Sequence, residues 1–429
     1  MLPLSTPKQA IERTVREEWG RILASLVKSI GDFQLAEDSL QEALTVALDN
    51  WNKKGLPKSP AAWLLTTARR KAIGRLRRDK NFSSKQKEIA YLMDLENMDK
   101  GGRETSASVD DPEIPDKRLE MIFTCCHPAL EQKTRIALTL RTLGGLTTEE
   151  IAAAFLDRPQ AMAQRLVRAK NKIKLAGIPY EIPDMDVLPE RISSVLSVIY
   201  LIFNEGYSAS SGDRPVRSDL CDEAIRLARI ITQLLPNEAE VAGLLALMLL
   251  HDSRRLTRTD GSGALIALQH QNRRRWDRGK INQGVRLLHD VLPRQHLGPY
   301  QLQAAISAVH AQSESWEATD WAQVQALYAL LYQITPTPVV RLNQALALSY
   351  ANSPQEGLHM LREAAGDGVL ENYQPFHAAK ADLLLRNGQI EEAMNSYRRA
   401  IELSDNLSER RFLEQKLDDV SNTPSARWS

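Results

Sequence analysis

Apolar residues recur along most of this chain at the spacing of an α-helix. Ile22, Leu23, Leu26, Val27 and Ile30 follow an i, i+3, i+4 pattern, and so do Leu40, Ala43, Leu44, Ala47 and Leu48. Alternating runs of Val, Ile, Thr and aromatic residues, which mark half-buried strands, are almost absent. The pattern predicts an all-α chain.

The clearest local signal lies in Leu146–Lys174, LTTEEIAAAFLDRPQAMAQRLVRAKNKIK. Thr147 followed by Glu150 is a capping box that opens a short helix, and Ile151, Ala152 and Phe155 give that helix an apolar face. Asp157-Arg158-Pro159 then makes a turn and restarts a helix with proline in its first turn, where the missing N–H costs nothing. Met162, Leu166, Ala169 and Ile173 form the inner stripe of this second helix. Gln160, Gln164, Arg165, Arg168 and Lys172 form its outer face. Two short helices joined by a tight turn, the second presenting Gln and Arg, follow the helix-turn-helix plan for major-groove reading. The competing reading is a helical hairpin with a charged exterior, but no acidic residue lies on this outer face.

A second basic helix lies earlier. Ser59-Pro60 starts it, and AAWLLTTARRKAIGRLRR follows. Trp63, Leu64, Ala68, Ala72 and Leu76 suit burial, while Thr66, Thr67, Arg70, Lys71, Arg75 and Arg78 suit an outer face. The stretch Trp51–Lys58 before it reads as a polar, basic loop. A basic helix beside such a loop fits single-stranded or melted DNA. Upstream, AEDSLQEA carries Glu37, Asp38 and Glu42, read as outward-pointing carboxylates and a candidate protein contact.

Charge matters only locally. The 429 residues hold 55 Lys+Arg and 54 Asp+Glu, a formal net charge of +1. Yet Ala61–Ala90 contains nine bases and two acids, and Arg158–Lys174 six bases and no acid. Between them, Phe82–Asp116 has nine acids and four bases, with Gly101, Gly102, Pro112 and Pro115, and reads as a flexible acidic tether. Two basic units split by an acidic tether favour nucleic acid over a pair of solvated faces. The three cysteines cannot form a disulfide framework. No apolar run exceeds the ten residues Val241–Leu250, against about 20 for a membrane span. The first residues lack the basic and apolar stretches of a secretion signal. A cytoplasmic chain with no membrane contact is expected.

After Pro183 the sequence is rich in Leu and Ala. Small residues recur 36 positions apart, Ala345 with Ala381 and Gly357 with Ala393, close to the roughly 34-residue tetratricopeptide (TPR) period. Ala224, Ala228, Ile231 and Pro236, and Tyr328, Leu331 and Pro336, look like second helices of degenerate units. A generic helical bundle is the alternative.

Four stretches, AEDSLQEAL, PAAWLLTTARRKAIGRLRR, RLEMIFTCCHPAL and LTTEEIAAAF with MAQRLVRAK, resemble in order and spacing regions 2 and 4 of the extracytoplasmic-function (ECF) sigma factors of bacterial RNA polymerase. YLIFNEGYSAS, LCDEAIRLAR, LALMLLHDSRR and GPYQLQAAISAVHA resemble the subgroup with a long TPR-like extension. The resemblance implies region 2 over residues 1–81, a flexible linker over 82–115, region 4 over 116–180 and a helical extension over 181–429. It implies core-polymerase contacts at Asp38, Gln41 and Glu42. It places the downstream (minus-10) element at Asn52, Lys53, Lys58, Ser59, Trp63, Thr66, Thr67, Arg70 and Lys71. It places the upstream (minus-35) element at Thr147, Thr148, Gln160, Ala161, Gln164, Arg165 and Arg168. Arg158-Pro159-Gln160 stands where the subgroup commonly has an acidic residue. The 34-residue linker spans up to about 110 Å at roughly 3.3 Å per residue. That exceeds the roughly 58 Å between sites about 17 base pairs apart. Partners are then core polymerase, promoter DNA and a protein or peptide on the extension.

Other readings fall away on chemistry. Cys125-Cys126-His127 lacks the spacing of a zinc site and reads as a packed helix end before Pro128. FNEGYSAS reads as a loop closed by Gly206. Arg273-Arg274-Arg275-Trp276 reads as a solvated face with Trp276 inward, or as a contact to nucleic acid or polymerase. An enzyme using Glu205, His251, Asp252 or His310 has no supporting spacing, so no catalysis, cofactor or metal is expected. The remaining rival is a helix-turn-helix regulator with a TPR-like sensor, for which a second DNA-reading unit would be superfluous.

Overall fold

The computed structural model describes residues 7–78, 116–155, 157–207, 218–260, 264–292, 297–366, 368, 370–404 and 407–422. Their regular structure is helical, with no strand among the described residues beyond an isolated antiparallel bridge between Thr259 and Leu265. The chain divides into two compact units, Met1–Val198 and Ile199–Ser429. The linker expected over 82–115 lies outside the described residues.

In the first unit, α1 (Pro7–Ile30), α2 (Phe33–Lys54) and α3 (Pro60–Arg78) form a three-helix group. Ile22, Leu23, Leu26 and Val27 of α1 are fully buried, as the periodicity predicts, along with Leu40, Ala43 and Ala47 of α2. Asp32 caps α2 by accepting from Leu35 N at 3.0 Å. The helix runs further than its polarity suggests. Trp51, 2% exposed, extends the stripe of Leu40, Ala43 and Ala47 by one more turn. The helix stops at Gly55, whose φ of 85° suits glycine. Residues 51–54 are therefore helix, and the expected loop shrinks to 55–59.

The second group comprises α4 (Arg118–Cys125), α5 (Gln132–Thr142), α6 (Thr148–Ala154) and α7 (Pro159–Leu175). It packs closely on α1. A Cβ on Gly20 would lie 2.9 Å from Leu143 O, so the two backbones touch there, and Trp19 Nε1 donates to Arg141 O at 3.3 Å. The start of α8 (Leu188–Tyr207) joins this unit too: Arg191 Nη2 donates to Phe123 O at 2.6 Å and Ser194 Oγ to Cys126 O at 2.9 Å. Residues 204–207, expected in a loop, belong to α8, whose apolar residues Ile199, Ile202 and Phe203 carry the helix through to Tyr207.

The second unit is built of helical pairs. α9 (Ser218–Leu234), α10 (Ala239–Asp252), α11 (Arg278–Val291), α12 (Pro299–Gln312) and α13 (Trp321–Ile334) precede the repeats. The pair α14 (Pro338–Ala351) and α15 (Pro354–Ala364) is followed by α16 (Gln374–Arg386) and α17 (Ile390–Glu402); equivalent helices begin 36 residues apart, at 338 and 374 and at 354 and 390. The small residues sit where helices meet: Ala345, Ala381 and Ala393 have no exposed surface. α18 (Leu407–Asn422) packs on the last pair. Arg273, expected on a solvated face, is instead 6% exposed and donates to His310 O and Ser313 O at 2.7 and 2.8 Å; Trp276 beside it is buried. Among the described residues no helix is long and apolar enough to cross a membrane.

Candidate nucleic-acid interface

The helix-turn-helix forms as its local chemistry dictates. Thr147 Oγ1 accepts from Glu150 N at 3.1 Å while Thr147 N donates to Glu150 Oε2 at 2.7 Å, the reciprocal capping box at the start of α6. Thr148 is the first residue of that helix. The turn is held by Asp157, whose N donates to Ala152 O and whose carboxylate accepts from Arg158 N, both at 2.9 Å. Pro159 occupies the first turn of α7. Met162, Leu166, Ala169 and Ile173 are buried, and Gln160, Gln164 and Arg168 are exposed. Ala161 is half-buried. Arg165 is half-buried as well, because Asp157 Oδ2 accepts from its Nη1 at 2.7 Å. An acid thus reaches the face that reads as purely basic in sequence, from the turn rather than from the helix.

In the first group, Asn52, Lys53, Lys58 and Arg70 are exposed, and Ser59, Trp63, Thr66, Thr67 and Lys71 are half-buried. Asn52 Nδ2 donates to Leu48 O at 2.7 Å. Trp63 meets the buried Trp51 edge to face at 5.4 Å, which fixes one ring at the junction of the 55–59 loop and α3. Ser59 O accepts from Trp63 N at 3.1 Å.

The acidic stretch of α2 does not simply face solvent. Asp38 Oδ2 accepts from Arg75 Nη1 at 3.2 Å, Glu42 also pairs with Arg75, and Lys71 Nζ lies 3.7 Å from Glu42. Gln41 is exposed. Two cations of α3 therefore meet these acids: Arg75 pairs with both Asp38 and Glu42, and Lys71 lies against Glu42.

Glu37, expected to point outward, does not. Its carboxylate is buried between the two helical groups, accepting from Arg141 Nε at 2.6 Å and from Lys170 of α7. Lys170 also donates to Gln34 Oε1 at 2.9 Å, and Lys174 Nζ reaches Asp32 Oδ2 at 2.9 Å. Burial pushes the Glu37 carboxyl up, but Lys170 and Arg141 together hold it below the ordinary carboxylate range.

Cys125 and Cys126 end α4 and are buried. Their sulfurs lie 3.2 Å from Thr142 Oγ1 and 3.6 Å from Thr139 Oγ1, and burial pushes the Cys126 thiol up to about 11. Among the described residues no group of three or more His, Cys, Asp or Glu is placed to hold a metal ion.

Residues 15–82 match sigma-70 region 2 and residues 120–173 match sigma-70 region 4. Residues 375–407 match the tetratricopeptide repeat, and residues 191–292 match a family of unknown function (DUF6596). An uncharacterised protein of Rhizobium meliloti (strain 1021) is 40% identical over 403 residues, covering 94% of each chain. No solved structure matches. With region 2 on α1–α3, region 4 on the group that ends in the helix-turn-helix, and a tetratricopeptide repeat on the last helical pair, the chain belongs to the sigma-70 family of RNA polymerase sigma factors and carries a TPR-like C-terminal extension.

Proposed function

We propose that this chain is a sigma factor of the extracytoplasmic-function subgroup that binds core polymerase, recognises minus-10 and minus-35 elements and promotes DNA melting. It acts in the cytoplasm and catalyses no covalent reaction. Region 2 spans residues 1–81, the linker 82–115, region 4 116–180, and the extension from 181 regulates this core. Asp38, Gln41 and Glu42 contact polymerase. Asn52, Lys53, Lys58, Ser59, Trp63, Thr66, Thr67, Arg70 and Lys71 take the melted downstream element. Thr147, Thr148, Gln160, Ala161, Gln164, Arg165 and Arg168 take the upstream one.

The observation that carries this reading is the form of the α6–α7 unit. A capping box sets the first helix, a proline-started second helix exposes Gln160, Gln164 and Arg168 together, and Asp157 braces Arg165 beside them. Gln and Arg are the side chains whose paired donors and acceptors match adenine and guanine edges. The exposed basic residues of the first group supply the second DNA contact that a two-element promoter requires.

In vitro transcription with purified core polymerase on the region upstream of the protein's own coding sequence tests it. Specific initiation dependent on this chain is the expected result. Binding of duplex promoter by the chain alone, with no affinity for core enzyme, would make it a helix-turn-helix regulator instead.

A further inference from the structure

The C-terminal unit contains a cavity of about 580 Å³, within the range of small-molecule sites. Three aromatic rings build one wall. Trp321 of α13 stacks on Tyr350 of α14 with 4.4 Å between centroids and 23° between planes, and Trp316 meets these two rings edge-on at 4.6 and 5.1 Å. Phe412 and Lys416 of α18 line the cavity as well. Interlocked rings of this kind are rigid and offer flat apolar surface without the entropy loss of ordering flexible chains.

One carboxylate stands among these rings. Asp382 of α16 lines the cavity and accepts a hydrogen bond from Tyr350. Burial holds its carboxyl above the ordinary range, while Arg386 and Lys416 pull the other way without offsetting the burial. Arg386 is committed elsewhere. Its Nη1 donates to Ser349 Oγ at 2.9 Å, its Nη2 to Ser349 O at 3.0 Å, and its guanidinium lies 3.8 Å from the Tyr350 ring centre. Lys416 Nζ sits 5.8 Å from the Phe412 ring centre. His310 also lines the cavity. Burial, together with Arg254 and Arg273, pushes its imidazole down to about 4, so it adds no charge near neutral pH. Among the described lining residues two acids, Asp382 and Glu409, face one base, Lys416. A carboxylate poorly compensated within aromatic walls is stabilised by a cation that brings its own apolar surface.

We propose that this cavity is a binding site for a hydrophobic organic cation, its flat body against Trp316 and Trp321 and its ammonium or amidinium group at Asp382. The volume suits one small molecule, which differs from the protein or peptide that a helical repeat array leads one to expect. Because Phe412 and Lys416 line the same cavity, occupancy would be felt directly by α18. The inference stands independently of the transcription function.

The full-length protein is titrated at pH 7.5 with three fluorescent tricyclic probes that differ in charge: 9-aminoacridine (cationic), acridine (neutral) and acridine-9-carboxylate (anionic). Affinity should fall in that order. Asp382→Asn should weaken the cation by about tenfold or more, the scale of a lost hydrogen bond to a charged group, and leave the neutral probe within about twofold. Lys416→Met should strengthen the cation by a few-fold, the opposite sign from any general loss of structure. Three results would overturn the proposal: no saturable binding of any acridine, preference for the anion, or equal loss of cation and neutral probe in Asp382→Asn. Saturable binding of a lysine pentapeptide with no binding of 9-aminoacridine would also overturn it, in favour of a peptide groove.

Discussion

Lys170, on the second helix of the helix-turn-helix, donates to Glu37, a residue 133 positions earlier in region 2, and the two side chains are 9% and 4% exposed. Arg141 holds the other oxygen of the same carboxylate. One buried acid thus ties regions 2 and 4 together inside the first unit. An ion pair this deep gains little net stability over an apolar contact, because both charges lose their water. Removing one partner is another matter, since it leaves the others buried and unpaired.

Glu37→Gln should therefore destabilise the first unit by roughly 3 kcal/mol at pH 7, read as a lower urea midpoint. The pH dependence has a definite sign. The folded-state carboxyl lies below its ordinary value, so its contribution is complete above the unfolded value of about 4.3. It is lost as pH falls through the lower folded value. The wild type should lose this increment below about pH 4, and the Gln variant should lack that part of the acid dependence. Parallel acid profiles for the two proteins would show that Glu37 is not the titrating group.

Gly357→Ala should destabilise the repeat pair. A Cβ there would lie 2.6 Å from Ser349 Cβ and 2.9 Å from Ala345 O, closer than packed atoms approach. Overpacking of this kind costs about 1–3 kcal/mol. Thermal unfolding of the second unit, followed by amide exchange in α14 and α15, would register the loss; an unchanged exchange pattern would mean the helices can part at no cost.

Much of this architecture was legible from short-range chemistry. The capping box at Thr147 and Glu150, the proline restart at Pro159 and the 36-residue recurrence of Ala345, Ala381, Gly357 and Ala393 all depend on neighbours close in sequence. What was not legible depends on distant partners. Glu37 lies beside Asp38 in a stretch that looks uniformly solvated, and its cations are more than a hundred residues away. Arg273 sits in a run of three arginines, yet it is buried because the carbonyls of His310 and Ser313 need a donor. Asn52 and Lys53 look like loop because they are polar, whereas the buried Ala47 and Trp51 keep the backbone helical around them.

At the upstream element, Arg165→Ala should weaken promoter binding by about 1–3 kcal/mol and relax preference at one base pair if the side chain reaches a base edge. Asp157→Ala removes the carboxylate that orients Arg165 at 2.7 Å. It should reduce discrimination between promoters more than it reduces affinity for random duplex. Gel-shift titrations on matched and scrambled elements separate the two effects; equal loss on every sequence would make Arg165 a phosphate contact.

The exposed residues Asn52, Lys53 and Lys58 are proposed to act on the melted state. Flipped or unstacked bases become available only after strands part, so contacts to them cannot assist the closed complex. Substituting these residues by Ala should leave closed-complex affinity nearly unchanged and reduce permanganate reactivity of the downstream-element thymines. Unchanged reactivity would remove them from the melting step.

Glu42 has two demands on it: it pairs with Arg75 within the three-helix group, and it is proposed to touch core polymerase. A charge swap separates them. Glu42→Arg alone sets a third cation beside Arg75 and Lys71 and should lower both stability and polymerase binding. Adding Arg75→Glu restores an opposite-charge pair of similar reach, although Asp38 then faces the new acid rather than a guanidinium. The pair is about one-third exposed on each side, so the stability at stake is small, about 1 kcal/mol or less. Polymerase affinity need not follow, because a partner surface selected for an acid at position 42 meets a base in both variants. If the double variant regains its melting temperature and still fails to bind core enzyme, Glu42 contacts polymerase directly. If polymerase binding returns together with stability, the carboxylate serves only to hold α2 against α3, and the contact must come from Gln41 and its other neighbours.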